Sequence, residues 1–167
     1  MGTIFDEVDK RTSLALTNQM EMLIFYLNDQ QLYGINVFKI IEIIECPKSI
    51  TKLPLSHPAI IGGVNFRGKA VAVIDLAEVL GMSKLHYHDG ICYIIVCEYN
   101  NMINGFLINN PDSLITKSWE DIKSPSGLLG KSAYLTAITY TDNNDTIQIL
   151  DIEKILAQVI GIEDTLT

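Results

Sequence analysis

A nucleophilic centre needs a serine or cysteine beside a histidine and a carboxylate, and Ser56 and His57 adjoin in this chain. They sit in Leu53-Pro54-Leu55-Ser56-His57-Pro58, a two-proline stretch that reads as an extended loop. No strand-to-helix elbow surrounds them, so loop chemistry is the expected role. A metal site would use His86 and His88, whose spacing puts both on one face of a strand, with Asp89 or Cys92 as a further ligand. Residues 84–90 read instead as a polar connector, in which surface histidines are ordinary. A phosphate loop is not expected, since Gly62-Gly63 precedes a strand rather than a helix. Cys92 and Cys97 lie on an apolar, β-branched run with side chains on opposite faces, so they neither bridge nor share a metal. With Cys46 they are expected to be reduced and to fill core space. A metal-dependent sensor or small hydrolase using His57 or the pair His86 and His88 is therefore the alternative to a chain without catalysis, metal or cofactor.

Bulk properties narrow the partners. With 12 basic against 20 acidic residues the net charge is -8, and a phosphate backbone would be repelled on average. Asp6, Glu7 and Asp9 stand where a signal peptide carries positive charge, and no apolar stretch is long enough to cross a bilayer, so a cytoplasmic protein is expected. Nearly half the residues are apolar (48%), enough to build a core.

The elements that must hold any site follow from periodicity. Residues 1–20 read as an amino-terminal arm in which Ile4, Phe5, Val8 and Leu14 stand among charges, as in a short amphipathic segment. From residue 21 short strands alternate with turn signals, the pattern of an all-β sandwich or barrel. Two helices interrupt it. Asp75 caps Leu76, Val79 and Leu80, with Glu78 as a capping-box partner and Gly81 as the stop; Asp151 caps Ile152, Ile155, Leu156 and Val159. A second match lies upstream, where Leu23-Ile24-Phe25, a polar turn and Gly34-Ile35-Asn36-Val37 parallel Ile94-Ile95-Val96, a turn at Asn100-Asn101 and Gly105-Phe106-Leu107-Ile108. The step from Gly34 to Gly105 is nearly the step from Asp75 to Asp151. Both matches run in the same order, which predicts a domain over 21–163 with two related halves, about 21–83 and 90–163. Neither half has much core alone, so the two must pack together and leave a seam where partners bind.

Differences between the halves are the place to seek function. The first has Arg67-Gly68-Lys69 at a hairpin tip, where glycine supplies turn geometry and arginine a fork of donors; the second has Thr141-Asp142-Asn143-Asn144-Asp145 there. Residues 36–45 hold more apolar side chains than one strand face buries, and charges such as Lys39 and Glu42 flank them, as at a protein interface. Trp119 opens a further turn, with Ser118 and Asp121 as a capping pair, and is expected to anchor the core.

Gly34-Ile35-Asn36-Val37 with Lys39-Ile40-Ile41-Glu42-Ile43, then Gly62-Gly63-Val64-Asn65-Phe66-Arg67-Gly68 and Val73-Ile74-Asp75-Leu76, together resemble the CheW-like coupling domain of bacterial chemotaxis over about residues 21–160. A narrower similarity is to CheV proteins, carried by Phe5-Asp6-Glu7-Val8-Asp9-Lys10-Arg11-Thr12, Cys46-Pro47, Ser56-His57-Pro58 and Ser118-Trp119-Glu120-Asp121-Ile122. The resemblance implies a mainly β fold of two intertwined, five-stranded SH3-like barrels with short helices. It also implies a non-catalytic adaptor that links chemoreceptor signalling tips to the regulatory domain of the histidine kinase CheA, recruited to membrane receptor arrays. By position, Ile40, Glu42 and Ile43 match the family's partner-contacting segment and Arg67-Gly68 its Arg-Gly turn; Tyr93, Gly105 and Leu114 fall at further partner-binding or structurally required positions. Ala72 stands where many members have proline, which the strand pattern tolerates. In a CheV protein a receiver domain is expected after residue 160, and none falls within these 167 residues. Elemental analysis and a zinc titration check the reading without metal chemistry: no stoichiometric zinc is expected, and tight uptake would reinstate His86 and His88.

Overall fold

The computed structural model describes residues 18–54, 57–85, 87, 91–124 and 134–161. Residues 1–17 of the arm expected over 1–20, with Ser56, His86, His88 and Asp89, lie outside the described residues, and the first strand takes in the end of that arm. The strands are β1 (Gln19–Tyr26), β2 (Leu32–Asn36), β3 (Ile40–Glu45), β4 (Ile60–Phe66), β5 (Lys69–Asp75), β6 (Tyr93–Tyr99), β7 (Met102–Ile108), β8 (Asn110–Ser118), β9 (Leu135–Tyr140) and β10 (Thr146–Leu150). Two helices, α1 (Leu76–Val79) and α2 (Ile152–Ile160), follow β5 and β10.

The two sheets have related strand orders. One sheet runs β8-β1-β2-β10-β9 and the other β3-β6-β7-β5-β4. Advancing each strand number by five, cyclically, turns one order into the other, so each sheet takes a hairpin from one half and three strands from the other. The halves exchange their first hairpins. Two joints link the halves in each sheet, an antiparallel one, β1 with β8 and β3 with β6, and a parallel one, β2 with β10 and β5 with β7, with Gly34 opposite Ile149 and Gly105 opposite Val73. Gly34 and Gly105 are equivalents in the first sequence match, and Val73 and Ile149, each two residues before its capping aspartate, are equivalents in the second. Both matches therefore meet in this one pair of contacts. Each sheet then curls until its edges approach, and isolated bridges mark the closure, Thr51 with Gly63 in one barrel and Lys123 with Ile138 in the other.

Packing explains why β1 reads as a continuous apolar run rather than an alternating one. Met22 and Ile24 point into a small cluster with Met20, Leu32, Ile147 and Ile149 inside the first barrel. Leu23 and Phe25, on the opposite face, join the main core with Ile74, Ile94, Ile95 and Phe106. The strand is a shared wall, buried on both sides like a strand of a parallel sheet. Full burial of a side chain such as Phe25 or Phe106 contributes about 1.5–3 kcal/mol. Cys46, Cys92 and Cys97 are all buried free thiols. Burial pushes the Cys97 thiol up to about 12 and Cys46 to about 11, so both stay protonated.

The helix starts form largely as read. The Asp75 carboxylate accepts the N–H groups of Ala77 and Glu78 through one oxygen and that of Leu85 through the other, which ties α1 to the segment after it. Desolvation raises its pKa against the pull of those three N–H groups. The reciprocal half of the expected capping box is absent: the Asp75 N–H donates to the Ala59 carbonyl, and Glu78 faces Lys84 at 3.6 Å. Cross-strand pairing of the Asp75 backbone has left Glu78 no donor to reach. Helix α1 is a single turn, after which Gly81 takes φ 83. Asp151 caps α2 through the Lys154 N–H, and Gly161 ends it at φ 77.

Gly105 and Gly34 occupy equivalent places but differ in tolerance. A Cβ on Gly105 would lie 2.6 Å from Ile94 Cγ2, whereas one on Gly34 would meet side-chain ends of Ile147, Met22 and Ile24 at 3.2–3.3 Å. Gly105→Ala is expected to cost about 1–3 kcal/mol through overpacking and Gly34→Ala less, a ranking that denaturant midpoints will check.

Candidate functional site

The turn joining β4 to β5 assigns a separate job to each residue of Asn65-Phe66-Arg67-Gly68. Phe66 pairs with Lys69, leaving Arg67 and Gly68 as a two-residue loop with φ of 51 and 80. Positive φ at both central residues is the type I′ requirement of a tight hairpin. Gly68 adopts it freely, and space around it is open, so glycine is needed here for backbone conformation alone. Arginine adopts it at a cost. Asn65 Oδ1 accepts the Gly68 N–H at 3.0 Å, and Phe66 is buried beneath the turn.

Two contacts fix the guanidinium. It lies over the Phe66 ring with Cζ 4.8 Å from the centroid, and its Nη2 donates to Glu42 Oε1 at 2.8 Å. Glu42 is on β3, at the opposite edge of the same sheet from β4, so the ion pair spans the seam where the barrel closes. Both side chains are open to water, at 64% and 44% exposure. On β3 the four isoleucines 40, 41, 43 and 44 are each partly buried and packed against the core, with a minor part of their surface in solvent. The apolar excess of this segment thus resolves into a strand that neither buries nor frees its isoleucines.

The structure joins Glu42 to Arg67, next to Gly68, while Ile40 and Ile43 share strand β3 with Glu42. Tyr93 stands beside them on β6, opposite Glu45 and half-buried. Gly105 is buried in β7, where the Ile94 side chain leaves no room for a Cβ, so its place is in the packing and not on a partner face. Leu114 is 61% exposed but lies on β8, an edge of the other sheet. It belongs to a different surface.

Two exposed aromatic residues add to the site residues named from the sequence, Phe38 within the apolar segment 36–45 and Trp119. Phe38, 57% exposed, sits in a 3-10 turn whose cap is Asn36, with Asn36 Oδ1 accepting the Phe38 N–H at 2.9 Å. That asparagine is the signal that takes Phe38 out of the strand. Trp119 overturns the expectation of a core anchor: it is 48% exposed at the start of a 3-10 turn, Trp119–Asp121. Ser118 Oγ caps this turn by accepting the Glu120 N–H, and a turn at a barrel mouth carries its first side chain outward. His57 is occupied locally, its Nδ1 accepting the Ala59 N–H at 3.0 Å. Among the described residues no group of three or more His, Cys, Asp or Glu side chains could hold a metal ion.

The profile of the CheW-like domain matches residues 21–159. The chain belongs to the CheW-like domain family. It is 30% identical to chemotaxis protein CheV2 of Helicobacter pylori over 167 residues, covering 92% of this chain and 53% of that protein. It is also 30% identical to chemotaxis protein CheW of Thermotoga maritima, covering 89% and 95% of the two chains. The crystal structure of the scaffolding protein TtCheW from Thermoanaerobacter tengcongensis superposes with a TM-score of 0.69 at 28% identity, over 79% of this chain and 88% of that one. This CheW-like domain spans about half the length of the CheV2 protein it matches. The fold, two five-stranded barrels that exchange hairpins, is the one the motifs imply, and the family is one of chemotaxis scaffolds rather than of metal-dependent sensors or hydrolases.

An exposed ion pair of this kind is worth about 0.2–1 kcal/mol, and a left-handed arginine costs a similar amount, so the turn is not a stability device. A double-mutant cycle of Glu42→Gln with Arg67→Asn should give a coupling in that range that shrinks in high salt. The Arg67→Asn protein should melt within a few degrees of the parent, because asparagine accepts the turn conformation.

Proposed function

We propose that this CheW-like domain is a non-catalytic chemotaxis adaptor that couples the signalling tips of chemoreceptors to the regulatory domain of the histidine kinase CheA. The observation that carries the reading is Arg67. A residue held at positive φ, solvent-exposed and clipped across the barrel seam to Glu42, adds little to the fold and is presented to a partner. Around it, the partly buried isoleucines of β3 supply some apolar area with a charged rim, the composition of a docking face. Ile40, Glu42, Ile43, Arg67 and Gly68 form that face, with Tyr93 at its margin, and Leu114 belongs to a second contact on the other barrel. Two barrels with separate exposed faces suit a protein that holds two partners at once, and no reaction is required. Work of this kind takes place in the cytoplasm, with the adaptor recruited to membrane receptor arrays through the receptor tip.

Sedimentation of the domain with a receptor-tip fragment and with the kinase regulatory domain tests this reading. Complexes are expected at tens of micromolar, about 6 kcal/mol of binding. Neither complex forming would remove the adaptor reading. Arg67→Glu should weaken one of them at least roughly tenfold, about 1.4 kcal/mol, with the thermal midpoint nearly unchanged. An equal loss of folding stability would return Arg67 to a structural role.

A further inference from the structure

Beyond the end of β3 the chain pairs once more with the segment before β6. Glu45 lies opposite Tyr93, and the next pair in register is Cys46 with Cys92, joined by the Cys46 N–H donating to the Cys92 carbonyl at 2.8 Å. Directly opposed residues of an antiparallel pair carry their side chains on the same face. With a hydrogen bond between them, their Cα atoms stand about 5.5 Å apart, inside the window of roughly 4.4–6.8 Å that a disulfide spans. Both cysteines are free thiols. Neither is sealed as Cys97 is, with 8% exposure for Cys46 and 5% for Cys92 against 1% for Cys97. Cys92 also lines an open groove with Leu27, Lys84, Leu85 and Ile91, which gives a small solute a route to its sulfur. Cys97 stands opposite Ile40 and Asn104 and has no thiol across from it.

We propose that Cys46 and Cys92 are a reversible modification site, forming a disulfide within the folded chain when a hydroperoxide is present. The Cys92 sulfur, on the groove, attacks one oxygen of hydrogen peroxide; the O–O bond breaks, leaving a sulfenic acid on Cys92 and releasing water. The Cys46 sulfur then attacks the Cys92 sulfur. The S–S bond forms, the S–O bond breaks, and the hydroxyl leaves as a second water with the proton of the Cys46 thiol. Two thiols have then given up two electrons and two protons, and one peroxide has been reduced. Exchange with two equivalents of an external thiol reverses the bridge.

Burial, and after it the neighbouring Cys92, hold the Cys46 thiol up to about 11, and its Sγ donates to the Pro47 carbonyl at 3.3 Å. The Cys92 thiol is raised as well, by burial and then by the charge of Asp75. Because the thiolate is the nucleophile, the pair reacts slowly at neutral pH and gains about tenfold in rate per pH unit. The bridge would fasten the exit of β3, an edge strand paired with β6 alone, to the start of β6. This thiol chemistry holds or fails independently of the adaptor reading.

Treatment of the full chain with hydrogen peroxide at about 1 mM for some hours tests the proposal. Thiols counted after quenching and denaturation should fall from three to one. A non-reducing digest should contain a peptide linking Cys46 to Cys92, and dithiothreitol should restore all three thiols. The rate should rise roughly tenfold from about pH 7.5 to about pH 8.5. Cys97→Ala should leave the linked peptide in place. The decisive readout is made on the parent chain, so it does not depend on a cysteine variant folding. Far-UV circular dichroism unchanged on oxidation is expected, since the bridge joins residues already opposed. Three thiols persisting, one cysteine carried to sulfinic acid without a linked peptide, a bridge to Cys97 or a bridge between two chains overturns the proposal. So does a Cys46 to Cys92 bridge that appears only once denaturant has unfolded the chain.

Discussion

The parallel contact between β2 and β10, with its twin between β7 and β5, is the constraint from which the rest of the molecule follows. A tight hairpin makes only antiparallel neighbours, whereas a parallel neighbour requires a long crossover. Here the crossover is supplied by the other half of the chain, because Gly34 lies opposite Ile149 and Gly105 opposite Val73. Neither barrel can close without a hairpin from its counterpart, and β1 thereby becomes a wall buried on both faces. The exchange commits distant parts of the sequence to one core. Contacts of such high sequence separation also make slow folding the expectation for this topology.

Barrel closure carries the Arg67-Gly68 turn into position. β3 and β4 are at opposite ends of their sheet's strand order, and curling brings them together at the bridge of Thr51 with Gly63 and at the ion pair of Arg67 with Glu42. The turn could have closed with asparagine or glycine at lower backbone cost, and arginine brings instead a fork of donors stacked on Phe66. β3, as an edge strand, keeps its isoleucines partly in water. The same closure in the other barrel, at Lys123 with Ile138, leaves a groove beside Trp119. Equivalent topology has thus produced two different surfaces, as the unlike loops at residues 67–69 and 141–145 foreshadow.

Much of this was legible in the residues. The strand-aspartate-helix signature at Asp75 and Asp151 reports a local event, a side-chain oxygen meeting free N–H groups, and local chemistry survives any tertiary context. The hairpin turns at Asn100-Asn101 and Arg67-Gly68 are local too. The ordered spacing of two such signatures sufficed to expose the repeat, and motif order over residues 21–160 sufficed to suggest the family.

What sequence could not assign was the environment of individual side chains. Trp119 reads as a core residue because large aromatic rings are usually buried, yet burial is decided by which strand lies across the barrel mouth. Gly105 reads as a partner-binding or structurally required position, and the Ile94 methyl 2.6 Å from where a Cβ would stand favours the structural requirement. Glu78 reads as a capping partner, and only the pairing of the Asp75 N–H with Ala59 shows that no donor is left for it. The contact of Arg67 with Glu42 joins two separate strands across a barrel seam, a relation that no periodicity encodes. Sequence determined the elements, their caps and their repetition, because those depend on neighbours along the chain. Tertiary structure alone decided which faces meet and which remain in water, because that depends on how two sheets curl and exchange strands.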